Sequence, residues 1–207
     1  MLFRSIVVAS PALVSSSCAT PKTEQEDTTI IREDSGITAL KYSSPEVPAS
    51  IEFCGKTIDL SRFDRHERMD RELLAFTYMH STSLQMLKKA NRYFPIVEPI
   101  LKENGIPDDF KYLMVIESNM NPTARSSAGA AGLWQFMQGT GRDYGLEVNN
   151  NVDERYHIEK ATRAACRYLK DAYAKYKDWV AVAASYNAGQ ARIASQLAKQ
   201  DVDDSLD

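Results

Sequence analysis

Near residue 65 the spacing of apolar side chains changes from a step of two to the alternating three and four of an α-helix, and almost no strand signal returns after Leu60. A chain with that pattern can bury its apolar faces only by packing helices on helices. Upstream of the change, IEFCGKTIDL alternates Ile51, Phe53, Ile58 and Leu60 around Gly55 and predicts a small β hairpin or strap, taken here as 51–64. Residues 65–200 then predict one mainly α body of short and medium helices. Met69, Leu73, Phe76, Leu84 and Leu87 recur at helical spacing through about Ala90, and Ile96, Val97, Ile100 and Leu101 continue after an expected break near Pro95. Gly105 ends that stretch. Pro107, Asp108 and Asp109 open a third helix through Phe110, Leu113 and Ile116 that ends at or near Glu117. LWQFM at 133–137 reads as the start of a further helix. Asp153 reads as the cap of one whose face carries Ile158, Ala161, Ala165, Leu169, Ala172 and Tyr176, and 178–189 as a shorter helix stopped by Gly189.

The two ends differ from this body. In residues 1–18, Arg4 precedes an apolar stretch from Ile6 to Val14, and Ser15, Ser16 and Ser17 lead to Cys18. That order is a signal peptide, read either as a lipoprotein signal with Cys18 carrying the lipid or as a plain cleaved leader with an incidental cysteine. Residues 19–50 are polar, acidic and rich in Thr, Ser and Pro, with too few large apolar groups to offset ordering entropy, and read as a disordered tether. Residues 201–207 form an acidic tail. Of the other cysteines, Cys166 falls on an apolar helix side, and no Cys54–Cys166 bridge is expected. The net charge of −3 comes from evenly mixed charges with no basic stripe, which argues against nucleic acid as a partner. His66, His80 and His157 lack ligand spacing, so neither a metal nor another cofactor is expected, and a monomer is the default.

Three segments carry candidate chemistry. Glu117 stands at the end of the apolar run KYLMVIES (111–118), where desolvation favours a carboxyl that keeps its proton and can give it to a leaving oxygen; an isolated Glu at a helix end is more commonly an exposed one. SSAGAAGLWQFM (126–137) combines small residues, which permit close backbone approach, with Trp134, Gln135, Phe136 and Met137, which read equally as a sugar-stacking surface or as tight packing around a buried Trp. ASYNAG (184–189) places Tyr186 and Asn187 before a helix-ending glycine, by itself a common helix stop.

Taken in order and spacing, Glu117-Ser118, GAAGLWQFM (129–137), VDER (152–155), ATRAACRYL (161–169) and YNAG (186–189) resemble the lytic transglycosylases related to goose-type lysozyme, and most the membrane-bound lytic murein transglycosylase D branch. The resemblance covers about 105–196 and, more loosely, the chain from Arg65. It implies a lysozyme-like helical domain that cleaves peptidoglycan glycan strands, with Glu117 as the single catalytic acid and base. It further implies that Ser126, Gln135 and Met137 contact the N-acetyl sugars, that Tyr186 and Asn187 flank the acid, and that no second carboxylate is needed. Ser118 is expected to be structural. A goose-type hydrolase and a catalytically impaired peptidoglycan-binding protein are the alternatives, and the second gains weight because the branch commonly continues past the YNAG helix whereas this chain stops at Asp207. The leader adds an expected periplasmic location, with membrane attachment if Cys18 is lipidated.

Overall fold

The computed structural model describes residues 44–189, 193–195 and 198–199. The leader, Cys18, most of the tether and the acidic tail 201–207 lie outside the described residues. The first regular element is an antiparallel hairpin of β1 (Ser50–Phe53) and β2 (Lys56–Asp59), in register Ile51 to Ile58 and Phe53 to Lys56. Cys54 and Gly55 turn it with φ of 52° and 78°, the left-handed pair that a two-residue hairpin requires. Ile51 and Phe53 face inward, and the turn is fastened to the helices by Cys54 N–H donating to Asp109 Oδ2 at 2.7 Å and by Lys56 pairing with Asp178 at 3.3 Å.

Two long helices follow, α1 (Phe63–Tyr78) and α2 (His80–Glu103). Met79 separates them, and α2 continues unbroken through Pro95 and Pro99, so the expected break at Pro95 does not occur. Each internal proline removes a hydrogen bond and costs about 3 kcal/mol. Against this, Tyr93, Val97, Ile100 and Leu101 bury one face of the same turns, and each fully buried aliphatic contributes about 1.5–3 kcal/mol, so packing holds the helix. The expected core face of the first stretch is also corrected. Only Leu73 of α1 is buried, while Phe76, Leu84 and Leu87 are exposed; α2 turns Ser83 and Met86 inward instead.

A 3-10 turn at Asp108–Tyr112 leads into α3 (Leu113–Ser118), with Asp108 and Asp109 in its first turn. A long irregular stretch then precedes α4 (Gln138–Asp143), and a single 3-10 turn (Glu154–Tyr156) precedes α5 (Ile158–Tyr176) and α6 (Trp179–Ala188). Asp153 caps the 3-10 turn rather than α5, whose cap is His157. Helix α5 is the central element: it packs on α2 and α6 and buries Ala161, Ala165, Cys166, Leu169, Ala172 and Tyr176. Both cysteines in the described residues are free, and the Cys166 thiol lies against the Ile100 carbonyl.

Candidate active site

Helix α3 is only six residues long because the chain leaves it through two left-handed residues, Asn119 and Met120, at φ of 50° and 52°. Their N–H groups close back on Val115 and Met114 at 2.9 and 3.0 Å, satisfying the last carbonyls of the helix. Glu117 thus stands on the final turn, in a run whose Leu113, Met114 and Ile116 are core. Its carboxyl is half-buried, and burial pushes its pKa above the ordinary carboxyl value, partly offset by a hydrogen bond from the Asn187 amide.

The partner segment is the loop 124–137. LWQFM does not begin a helix: Ala131 N–H bonds Phe136 O at 3.0 Å, Gly132 N–H bonds Ala124 O at 2.9 Å, and helix starts only at Gln138. The loop is closed on itself because its aromatic residues are wanted in the core. Trp134 is 0% and Phe136 3% exposed, and Trp134 Nε1 donates to Thr162 on α5 at 3.0 Å. Of the two readings of this segment, packing therefore describes Trp134 and Phe136. Gln135 and Met137 stay at or near the surface, Met137 being 45% exposed. Gln135 adopts φ of 50°, a conformation that costs a side-chain-bearing residue energy, and its amide donates to the Gly132 and Ala124 carbonyls at 2.8 and 3.3 Å.

Two side chains join this loop to the acid. Ser118 Oγ is shared between Met114 O on its own helix and Leu133 O on the loop, both at 3.0 Å. Tyr186 OH, from the last turns of α6, donates to Trp134 O at 2.7 Å, with its ring against Trp134 and Tyr168. Burial and the negative charge of Glu117 both raise the Tyr186 phenol well above its usual range, so it remains neutral beside the acid. Asn187 thus bonds the Glu117 carboxyl, Tyr186 lies close enough to feel its charge, and Gln135 follows Trp134 in the loop. Ser126 contributes to the loop itself, its Oγ accepting from Ala130 N–H at 3.0 Å. Three of the other acids are engaged elsewhere: Asp153 with Arg155, Glu154 with Lys160, and Glu147 with Asn149.

Arg155 is a neighbour of this loop that the sequence does not single out. It is 2% exposed, and its guanidinium donates to the Gly129 and Phe136 carbonyls of the loop. Its sequence surroundings, VDERYH, look like an ordinary polar helix start; only its place inside a segment shared with a known family marks it.

Helices packed around one partly dehydrated carboxyl, with a tyrosine and an amide beside it and a self-bonded glycine-rich loop in front, make up a lysozyme-like domain. Residues 95–205, more than half of the chain, match the family described as Transglycosylase SLT domain, and the chain belongs to that family. Relatives include membrane-bound lytic murein transglycosylase D of Escherichia coli strain K12, 31% identical over 128 residues, which are 61% of this chain and 27% of the relative. Peptidoglycan transglycosylase gp16 of Escherichia phage T7 is 33% identical over 93 residues, 44% of this chain and 7% of the phage protein. The chain thus matches about a quarter or less of the length of these relatives.

Proposed function

We propose that this protein is a lytic transglycosylase that cleaves the β-1,4 bond between N-acetylmuramic acid and N-acetylglucosamine in peptidoglycan, with Glu117 as its one catalytic residue acting first as acid and then as base. The observation that carries the reading is the condition of that carboxyl: half-buried, raised in pKa by burial, and held by a neutral amide. A group so placed keeps a proton for a leaving oxygen and can take one back.

In the first step Glu117 gives its proton to the glycosidic oxygen, the bond from that oxygen to C1 of the muramyl sugar breaks, and the carbonyl oxygen of the same sugar's N-acetyl group bonds to C1. In the second, the Glu117 carboxylate removes the proton of the sugar's C6 hydroxyl, whose oxygen bonds to C1 as the acetamido oxygen leaves. The products are a free 4-hydroxyl and a 1,6-anhydro end, and Glu117 is again protonated. No water is consumed and no second carboxylate is used, unlike the two-acid glycosidases. In this reading Asn187 holds the carboxyl in place, Tyr186 keeps its neutral hydroxyl and ring beside it, and Ser126, Gln135 and Met137 bind the N-acetyl sugars. Mass spectrometry of digested sacculi tests the outcome: anhydro-muropeptides are expected, whereas reducing ends would assign a hydrolase and uncut bound glycan a binding protein. Glu117→Gln should lower cleavage by at least about a thousandfold while leaving glycan binding measurable; turnover that survives the substitution would remove Glu117 from its role.

The same reading places the enzyme in the periplasm as a monomer on the lysozyme-like domain of 65–200, joined through the 51–64 hairpin and the 19–50 tether to Cys18, which carries a lipid in the outer membrane. Among the described residues no helix is long and apolar enough to cross a membrane; in this reading the attachment is the lipid on Cys18. Metabolic labelling with a fatty-acid analogue should mark the protein, and a label that persists in Cys18→Ala would exclude that anchor.

A further inference from the structure

The loop in front of Glu117 is held by two independent sets of contacts, and they divide it. Leu133 and Trp134 are tied to the acid's surroundings by Ser118 Oγ and Tyr186 OH. The flanks, at Gly129 and Phe136, are tied to Arg155. Its Nη1 donates to the carbonyls of both at 2.7 and 2.9 Å, while Nε and Nη2 donate to the two carboxylate oxygens of Asp153 at 2.8 and 2.6 Å. The backbone of Arg155 presses on the same loop: its carbonyl oxygen would lie 1.9 Å from a Cβ on Gly132, closer than any side chain permits. Its side-chain stem passes 3.3 Å from where a Cβ on Gly141 of α4 would stand.

Gln135 lies between those two flanks in its left-handed conformation, and Met137 follows the second of them directly. A guanidinium is a rigid fork able to bond two carbonyls and both oxygens of one carboxylate at once, which the point charge of an ammonium cannot do. A buried ion pair of this kind is weak evidence for a purely stabilising role, since well-packed apolar side chains commonly replace such pairs without loss.

We infer that Arg155 is a positioning residue for glycan binding: by gripping the Gly129 and Phe136 carbonyls, it fixes the pose of Gln135 and Met137 without itself touching the glycan. The inference rests on the transglycosylase reading. Because Ser118 and Tyr186 hold Leu133 and Trp134 separately, disturbing Arg155 changes how the sugar is held more than how fast the held sugar reacts.

The test uses soluble, uncross-linked glycan strands. In a Glu117→Gln background, where nothing is cut, adding Arg155→Lys should weaken the Kd for these strands about tenfold. In the active chain Arg155→Lys should raise KM by a similar factor, with kcat changed less than about threefold. Asp153→Asn, which keeps the arginine but removes the charge it pairs with, should move Kd and KM the same way by about threefold and serves if Arg155→Lys does not fold. A folded variant with parental Kd and KM overturns the inference, as does a loss confined to kcat. Failure of both variants to fold overturns it as well, because the pair would then serve the fold itself. If the unsubstituted chain neither binds nor cuts glycan, the failure belongs to the transglycosylase reading; normal variants beside a working parent sink the role of Arg155 alone.

Discussion

Two opposed influences set the protonation of Glu117: loss of water raises its pKa, and the Asn187 amide, which bonds the ionised form, lowers it. The first step needs the proton, so kcat/KM should fall as pH rises through the pKa of this carboxyl, and burial sets that fall above the ordinary carboxyl range. Replacing Asn187 by Ala removes the one contact that favours the charged form. The fall should therefore move to higher pH, accompanied by a loss of about tenfold at the optimum because the carboxyl is no longer held. A pH profile of Asn187→Ala that shifts downward would show that the amide does not act on Glu117 in this way. The burial of this residue is only half readable in one dimension: the apolar run that precedes it allows desolvation, yet an exposed Glu is the commoner outcome at a helix end, and it is the order of Glu117-Ser118, GAAGLWQFM and YNAG that singles it out. The contribution of Arg155 is not readable there, because a charged side chain between Glu154 and Tyr156 gives no sign that its partners include two carbonyls 26 and 19 residues upstream.

Segments show how far a periodic pattern carries. The hairpin follows from alternation, α5 from helical spacing though not from its cap, and α6 from its glycine stop, since in each the local preference and the packing agree. Besides the misread helix face and cap described above, two segments take another conformation than expected, for separate reasons. Burial of one face outweighs the prolines of α2, and the core's need for Trp134 and Phe136 keeps LWQFM from becoming helical. Glycines in the second region give a sharp contrast in stability. At Gly132, φ is 78° and the added methyl would meet a backbone carbonyl, so Gly132→Ala should cost about 3 kcal/mol or more. In a domain of this size that lowers Tm by roughly 6–12 °C. Gly139 lies inside α4 with open space around it, and there the same change should add about 0.4–1 kcal/mol through the unfolded chain. Thermal melts of the two variants should move in opposite directions; a Gly132→Ala protein as stable as its parent would mean the loop is not seated against Arg155.

The candidate site exists only through long-range packing. Glu117, the loop 124–137 and the Tyr186-Asn187 pair come from three stretches of chain and are brought together by the core in which Trp134 meets α5 and Tyr186. Helix α5 buries eight of its residues in that core, whereas α1 buries Leu73 alone and carries Phe63, Leu74 and Phe76 outward. Stability should therefore be graded along the chain, because local opening costs least where least apolar surface is lost. Amide hydrogen exchange read by mass spectrometry should show α1 exchanging at least about tenfold faster than α5 under native conditions. In a denaturant titration, α5 protection and glycan cleavage should be lost together, after α1 has already opened. Equal protection of the two helices would place α1 within the cooperative core and make its exposed side a matter of surface composition only. Cleavage that disappears with α1, while α5 remains protected, would show that the acid depends on support from α1 in addition to the core that joins α2, α5 and α6.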